Sequence, residues 1–274
     1  MAVLRILANG SVAALLLAAS VSTATAQDSV LGPFPEGHVP ASTRKLADDG
    51  TGPRQKYAIV IGNQSYAHAP KLPNAWNDAV DVADLLATQG YDVTLLKDAS
   101  KRDFEGLMQR ILFDVDRNTE VLFYYAGHGV QIGSENYLIP TDAALDEVDD
   151  LPFETVSVGS LVSIVGARAR LQIVILDSCR NNPFAGIKLQ DSLGGDVREV
   201  DTGFASLAAP VNSYVVFSTS PGEVALDGAG QNSPFASAFL QAASAGSIPV
   251  TDVFEDVRRK VFVETKGVQV PWDS

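Results

Sequence analysis

The sequence has few of the residues that cross-link a chain or bind transition metals. It contains one cysteine, Cys179, and three histidines that are far apart in its 274 residues. An internal disulfide is therefore excluded, and a zinc site made of several Cys and His side chains is not expected. Two interpretations of the single thiol remain, a reactive group or a packed side chain in the core.

Positive charge is also scarce. Lys and Arg number 20 against 33 Asp and Glu, which gives a formal net charge of −13 at pH 7. Such a chain is repelled by nucleic acid and by anionic membrane surfaces, so neither is expected as a partner. The sequence also lacks the Gly-x4-Gly-Lys-Ser/Thr pattern of phosphate-binding loops, and nucleotide hydrolysis is therefore not indicated.

The apolar run near the N-terminus is by itself too short to cross a membrane. The N-terminal run Ala13–Ala19 is short, follows the single positive charge of Arg5, and precedes the small residues Ala24–Ala26. This pattern predicts that residues 1–26 are a signal peptide, with an uncleaved anchor helix as the alternative. We therefore expect export to the periplasm or the extracellular space, with no stable membrane insertion after cleavage. A lone thiol oxidises readily there, which favours a chemical role for Cys179.

The remaining sequence divides into a lead-in and one folded domain. Residues 27–55 hold four of the 14 prolines and show no period, so they predict a flexible lead-in. In residues 56–274, short apolar runs alternate with segments of helical spacing, which predicts an α/β domain with a largely parallel sheet covered on both faces. The clearest strands are Tyr57–Gly62, Val121–Ala126 and Leu171–Leu176. Helical spacing occurs within Asn74–Gln89, Val156–Arg168, Pro234–Ala243 and Val250–Glu264, and a capping box of Ser100 and Asp103 predicts another helix start.

One segment interrupts this alternation. Residues 186–206 are poor in apolar side chains and contain two consecutive glycines and mixed charge. They predict a linker loop, which divides the domain into a large-subunit-like part, residues 56–185, and a small-subunit-like part, residues 207–274.

Two reactive side chains follow two of the predicted strands. His128 comes just after Val121–Ala126, and Cys179 comes just after Leu171–Leu176. Because the carboxyl ends of parallel strands meet at one edge of a sheet, the two residues are expected to face each other. An imidazole beside a thiol can activate it as a nucleophile and later protonate a leaving amine. Taken singly, a structural histidine and a core cysteine remain the alternatives.

The predicted dyad comes with candidate oxyanion donors. The backbone amides of Gly129 and Cys179 lie next to the reacting groups in the sequence, and such donors typically accelerate acyl transfer about 100- to 1000-fold. The flanking glycines, Gly127 and Gly129, are expected to let a substrate approach the backbone closely.

Two motifs, Tyr125–Gly129 and Asp177–Arg180, are highly specific in combination. Tyr57–Gly62, Tyr125–Gly129 and Leu176–Pro183, with His128 51 residues before Cys179, resemble the caspase–metacaspase superfamily, in particular its bacterial metacaspase-like (orthocaspase) branch. The resemblance extends over about residues 56–273. It implies a caspase–haemoglobinase-like three-layer sandwich, with His128 as base and Cys179 as nucleophile of a cysteine endopeptidase that forms an acyl-thioester. It also implies a monomer acting on proteins or peptides.

Two other functions are compatible with these motifs. Some members of the superfamily lack one dyad residue, so a catalytically weak binding or regulatory protein with the caspase fold is the main alternative. A thiol redox sensor based on Cys179 is the other, although the chain offers no second cysteine to resolve an oxidised thiol.

The expected specificity pocket is acidic. Asp177 stands where animal caspases have a glutamine, and Asp227 stands where the same register gives their pocket arginine. Asn77–Ala79 matches the metacaspase segment whose aspartate, here Asp78, lines a pocket for basic residues. Carboxylates attract Lys and pair bidentately with Arg, which predicts cleavage after Arg, then Lys, and not after Asp. The alternatives are a first-turn helix acid at Asp78, a polar strand-end residue at Asp177 and a turn residue at Asp227.

The resemblance also raises the question of calcium. Asp149 and Asp150 match part of the calcium site found in many metacaspases. Calcium takes several oxygen ligands, and no suitable acid soon after the nucleophile completes the set. We therefore expect no cofactor and no resident metal, with calcium dependence as the alternative.

The linker is a candidate for self-processing. Residues 186–206 lie where members of the superfamily separate their large and small subunits. Lys188 and Arg198 are basic residues within this segment. Both are possible self-cleavage sites, because they fit the expected preference for basic residues.

Overall fold

The computed structural model describes residues 55–273 except 133–134, 146–147, 180–199, 202–209, 221–222, 224 and 247. The helices are α1 (Ala75–Thr88), α2 (Lys101–Asp114), α3 (Leu151–Glu154), α4 (Val158–Arg168), α5 (Pro234–Ala243) and α6 (Val250–Glu264), and a 3-10 turn covers Val148–Asp150. The strands are β1 (Gln55–Gly62), β2 (Asp92–Lys97), β3 (Thr119–Ile132), β4 (Glu135–Leu138), β5 (Val156–Ser157), β6 (Leu171–Cys179), β7 (Val200–Asp201), β8 (Ser213–Phe217) and β9 (Trp272–Asp273).

The main sheet has the strand order β2-β1-β3-β6-β8-β9. Its first five strands are mutually parallel, and β9 pairs antiparallel with β8 at the edge. A smaller antiparallel part is attached to the far half of β3, which pairs with β4 and β7, while β5 extends β4. The predicted, largely parallel sheet is therefore confirmed.

Helices cover both faces of this sheet. Side chains alternate between the faces of a strand, and β3 is apolar on both. Leu122 and Tyr124 face the core that includes α1, α5 and α6, whereas Val121 and Phe123 face the core that includes α2 and α4. The three-layer sandwich expected from the caspase resemblance is confirmed.

Local capping signals fix where helices begin. Ser100 accepts a hydrogen bond from the Asp103 amide at 3.3 Å, and the Asp103 carboxylate accepts one from the Ser100 amide at 2.9 Å. This reciprocal capping box satisfies two amides at the start of α2. The predicted bounds of α5 and α6 are confirmed to the residue.

Two strands run further than the apolar pattern predicts. β3 does not end at Ala126 but continues through His128 to Ile132, because its far half is hydrogen-bonded to β4 and β7. β6 likewise continues to Cys179. His128 and Cys179 therefore lie within strands, and not just after them as the apolar runs predict.

Several predicted segments lie outside the described residues. These are the signal peptide 1–26, the lead-in 27–55 apart from Gln55, and the linker 186–206 apart from Val200–Asp201, which form β7. None of the helices in the described part of the chain is long and apolar enough to cross a membrane.

Candidate active site

His128 and Cys179 are direct neighbours across the sheet. The parallel ladder of β3 and β6 pairs Ala126 with Asp177, Gly127 with Ser178, and His128 with Cys179 as its last rung. Neighbouring strands lie about 4.8 Å apart. Both residues are therefore held at the carboxyl edge of the sheet by consecutive backbone pairs, rather than by loops.

The imidazole of His128 is held in one tautomer. Its side chain is buried, and Nε2 lies 2.7 Å from the main-chain oxygen of Pro70. Because a carbonyl only accepts hydrogen bonds, Nε2 carries the proton and Nδ1 keeps its lone pair. Among the described residues, no group bonds to the buried Nδ1 atom. This ring nitrogen is thus available as a base.

Burial keeps the imidazole neutral. It lowers the pKa of His128 below its ordinary value, and the hydrogen bond to Pro70 opposes this effect only in part. A neutral imidazole at neutral pH can accept a proton, whereas an imidazolium cannot.

Two tyrosines hold the main chain of His128 from opposite sides. The His128 amide donates to the Tyr66 hydroxyl at 2.7 Å, and the Tyr125 hydroxyl donates to the His128 carbonyl at 2.7 Å. The rings of Tyr66 and His128 also pack together, with centroids 4.6 Å apart. The position of the imidazole thus depends on both hydroxyls.

The same hydroxyls explain the glycine before His128. A Cβ atom at Gly127 would lie 2.4 Å from the Tyr125 oxygen and 2.7 Å from the Tyr66 oxygen, closer than real Cβ contacts come. The sequence suggested that this glycine admits substrate. The structure gives a different reason, because the space of its side chain is filled by the tyrosine pair.

The loop that supplies Tyr66 and Pro70 is fixed at its base. One carboxylate oxygen of Asp98 accepts hydrogen bonds from the amides of Gln64 and Ser65, each at 2.8 Å. Asp98 itself has a positive φ of 50°, a conformation that Asp and Asn adopt more readily than most residues. Its carboxylate therefore orders the chain between β1 and the residues that contact His128.

The three acids predicted to bind substrate line a single pocket. Asp78 comes from α1, Asp177 from β6, and Asp227 from the segment before α5, and Ser233 completes the polar wall. Ala126 and Gly127, which lie two residues and one residue before His128, line the same pocket. Asp177 pairs with Ala126, two rungs from the His128–Cys179 pair, so it occupies the same face of the sheet. The acidic pocket therefore lies beside the candidate dyad.

Ser233 connects the two most buried carboxylates. Its amide donates to Asp78 at 3.0 Å, and its hydroxyl donates to Asp177 at 2.7 Å. The hydroxyl also accepts from the Ala236 amide at 2.9 Å, so Ser233 is the N-cap of α5. Tyr124 donates a further, longer bond of 3.3 Å to Asp177.

Burial changes the ionisation of all three acids. It raises the pKa of Asp78 to about 8, with a further contribution from the nearby Asp177 carboxyl, and it raises the pKa of Asp177 to about 6. Burial also raises the pKa of the half-buried Asp227. Because neighbouring negative charges repel each other in a desolvated pocket, the three carboxyl groups do not all ionise together near neutral pH.

Side-chain amides hold the pocket wall against α1. Asn74 donates to the main-chain oxygen of Asp227 at 2.6 Å, and Asn77 donates to that of Gln231 at 3.1 Å. From the other side, Gln269 accepts from the amide of Leu226 at 3.1 Å. The segment that carries Asp227 is thereby fixed between α1 and the C-terminal part of the chain.

Among the other candidate residues, Gly129 adjoins this arrangement, because it follows His128 in β3. Gly129 is paired with Leu138 in the β3–β4 ladder. Asp149 and Asp150 form the 3-10 turn before α3. Lys188 and Arg198 lie outside the described residues. Within the ranges that the structure describes, no three His, Cys, Asp or Glu side chains are grouped closely enough to hold a metal ion.

Several residues of the site escaped sequence reasoning. Tyr125 lies in an apolar strand and looks like a core residue, and Tyr66 lies in a loop without a distinctive pattern. Ser233 stands directly before Pro234, a common signal for a helix start, which points to a cap but not to a pocket. Pro70 contributes only its main-chain oxygen, for which no side-chain signal exists.

The fold corresponds to that of a known protein family. The caspase domain family matches residues 55–274, which is most of the chain. The chain therefore belongs to the caspase domain family.

Individual relatives match a shorter region. The human mucosa-associated lymphoid tissue lymphoma translocation protein 1 is 30% identical over 90 residues, and its mouse homologue is 31% identical over 90 residues. Each match covers 33% of this chain and 11% of the relative. The chain thus matches about a tenth of the length of these relatives.

Proposed function

We propose that this protein is a cysteine endopeptidase that hydrolyses peptide bonds after Arg or Lys, with Cys179 as nucleophile and His128 as base. The observation that carries the proposal is the backbone pairing of His128 with Cys179 at the last rung of the β3–β6 ladder. The acidic pocket two rungs away supports the preference for basic residues.

The proposed reaction begins with proton transfer to His128. Nδ1 takes the proton of the Cys179 thiol, and the thiolate attacks the carbonyl carbon of the scissile bond. The resulting oxyanion accepts hydrogen bonds from the amides of Gly129 and Cys179. His128 then gives the proton to the departing amine, which leaves an acyl-thioester on Cys179.

Deacylation of the Cys179 thioester again uses His128, first as a base and then as an acid. Water attacks the thioester carbonyl while Nδ1 of His128 removes a proton from the water. Collapse of the intermediate breaks the carbon–sulfur bond, releases the new carboxyl terminus and returns a proton to the sulfur. The Pro70 carbonyl assists both acylation and deacylation. It keeps the proton on Nε2 and stabilises the imidazolium that forms during each stage.

The specificity pocket supports recognition of a guanidinium or ammonium group. The buried Asp78 and Asp177 and the half-buried Asp227 all line it. A guanidinium matches several carboxylate oxygens at once, so Arg should be preferred over Lys. An aspartate side chain would be repelled by the same groups.

Other expectations extend the proposal. We expect the enzyme to be exported to the periplasm or extracellular space, to act as a monomer, and to need no cofactor, with calcium activation as the alternative. Lys188 and Arg198 are the proposed self-cleavage sites, since both fit the basic preference.

Fluorogenic peptides test the proposal directly. The purified chain is offered peptides that differ only in ending with Arg, Lys or Asp, with and without calcium, and Cys179→Ala is the control. We expect turnover of the Arg and Lys peptides and none by Cys179→Ala. Turnover of the Asp peptide alone would contradict the acidic pocket but spare the dyad. An inert enzyme whose thiol is not alkylated by iodoacetamide would favour a binding or regulatory protein instead.

A further inference from the structure

The acidic pocket holds three carboxyl groups and no basic side chain among its described lining residues. Asp78 is 2% exposed and Asp177 is 7% exposed, and both are bonded to Ser233. Two buried anions held by one small residue repel each other strongly, because little water screens them. The buried pair therefore needs a positive charge, and a proton on one carboxyl group is the simplest source.

We propose that a basic substrate side chain enters the pocket by displacing a proton shared by Asp78 and Asp177, so that selection for Arg over an uncharged residue strengthens as the pH rises. This inference rests on the proposed function of the pocket. The exchange is balanced: one guanidinium enters, one proton leaves a carboxyl group for solvent, and the net charge of the occupied pocket is unchanged.

The groups around the pair supply hydrogen bonds but no cation. Ser233 at the start of α5 uses its amide for Asp78 and its hydroxyl for Asp177. Tyr124 on β3 faces Asp177 as a neutral donor, and burial keeps the pKa of this phenol well above its ordinary value. Asp227, from the segment before α5, adds a third acid. His128 lies on β3, the strand that also contributes Ala126 and Gly127 to the pocket, and its imidazole is buried and neutral.

The ionisation of the acids supports the same conclusion. The pKa of Asp78 is raised to about 8 and that of Asp177 to about 6 by burial. A cation placed between them favours the ionised forms, so binding must lower both pKa values and release a proton between about pH 6 and pH 8. An uncharged side chain in the pocket has no such effect.

Two peptides separate this effect from the chemistry of the dyad. They are identical except that one ends in Arg and the other in citrulline, which has nearly the same shape but no charge. The dyad acts equally on both, so its own pH dependence cancels in the ratio of their kcat/KM values. We expect this Arg/citrulline ratio to rise with pH, by up to about tenfold per pH unit for one displaced proton. A ratio that favours Arg equally at all pH values would overturn the inference and leave the proposed function intact.

Variants on α1 assign the proton. Asp78→Asn keeps an acceptor for the Ser233 amide but cannot ionise, so the Arg/citrulline ratio should lose most of its pH dependence above pH 7. Asp84→Asn is the matched control, because Asp84 is an exposed acid on the same helix outside the pocket. A pH dependence that survives in Asp78→Asn, or disappears in Asp84→Asn, would contradict the assignment to the buried pair.

Calorimetry tests proton release without turnover. Cys179→Ala is titrated with each peptide at pH 7 in two buffers of different ionisation enthalpy, which reports the protons released per bound peptide. We expect release of up to about one proton with the Arg peptide and none with the citrulline peptide. Proton release in Cys179→Ala, combined with no peptide turnover by the wild-type protein, would support the inference and overturn the peptidase function. An Arg peptide that does not bind at any pH would overturn the pocket and this inference together.

Discussion

Nε2 of His128 lies 2.7 Å from the main-chain oxygen of Pro70, and this contact determines which ring nitrogen can act as the base. A carbonyl oxygen is always an acceptor, so the tautomer does not depend on a neighbouring ionisable group. The proposed catalytic pair therefore needs no acidic third member. Its geometry depends instead on the loop that carries Pro70, and that loop can be perturbed.

Loss of the Asp98 carboxylate should reduce turnover. Asp98→Gly removes the acceptor of the Gln64 and Ser65 amides without adding strain at the positive φ of this position. The loop should then position Pro70 poorly, and kcat should fall by about 10- to 100-fold with a smaller change in KM. Asp98→Asn is the conservative control, because its amide oxygen can still accept both bonds. Equal kcat values for the two variants would contradict this role of the carboxylate.

Tyr66→Phe should weaken both the fold and the base. The substitution leaves the buried His128 amide without its acceptor, which costs about 1–3 kcal/mol of the free energy of unfolding. Because the imidazole then moves more freely, the pH profile of Cys179 alkylation by iodoacetamide should shift as well. Tyr57→Phe is the control, since the Tyr57 hydroxyl bonds to Thr94 away from the site. An unchanged alkylation profile in a destabilised Tyr66→Phe protein would indicate a purely structural role.

Gly127→Ala should be among the most damaging single substitutions. The added methyl group would meet both tyrosine oxygens at less than 3 Å, so the strand or the tyrosines must move. We expect a loss of stability of about 1–3 kcal/mol or more, together with loss of peptide turnover. Gly230→Ala adds the same methyl group where the nearest atom is 3.7 Å away and should behave like the wild type in both assays. Full activity of Gly127→Ala would show that the hydroxyl pair does not position His128.

The stability of the protein should fall as the pH rises. The pKa of Asp78 is about 8 in the folded protein against an ordinary value of 3.8, so the folded state binds this proton more tightly than the unfolded chain does. The resulting stabilisation is complete below about pH 4 and is lost as the pH rises through about 8. Asp177 contributes in the same direction up to about pH 6.

Urea denaturation from pH 5 to pH 9 measures this dependence. The free energy of unfolding of the wild type should decline over the range, and Asp78→Asn should show a flatter profile. Asp84→Asn should follow the wild type, because that acid is exposed. A wild-type stability that increases between pH 6 and pH 8 would be inconsistent with buried, protonated acids.

The sequence allowed the sheet and the positions of His128, Cys179 and Asp177 to be predicted for a common physical reason, whereas Asp78 and Asp227 were predicted from the family resemblance. Buried parallel strands are continuous apolar runs, and the polar residues just beyond them stand out. His128, Cys179 and Asp177 all follow such runs. The length of β3 could not be predicted, because its extension beyond Ala126 depends on partners that are distant in sequence, β4 and β7.

The parts of the site that were missed act through groups that leave little trace in a sequence. Pro70 contributes a carbonyl oxygen, which every residue has. Tyr125 places its ring in the core and only its hydroxyl at His128, so its apolar surroundings conceal its role. Ser233 acts through an amide and a hydroxyl that any helix cap also offers.

The pocket is assembled from both sides of the linker, and this has a consequence for a protein cut there. Asp78 and Asp177 belong to the part before residues 186–206, whereas Asp227 and Ser233 belong to the part after it. β8 is hydrogen-bonded to β6, and α5 packs with α1 in one core. A chain cleaved in the linker should therefore stay together as a non-covalent pair of fragments. Two separately expressed halves should regain a complete acidic pocket only when they are folded in each other's presence.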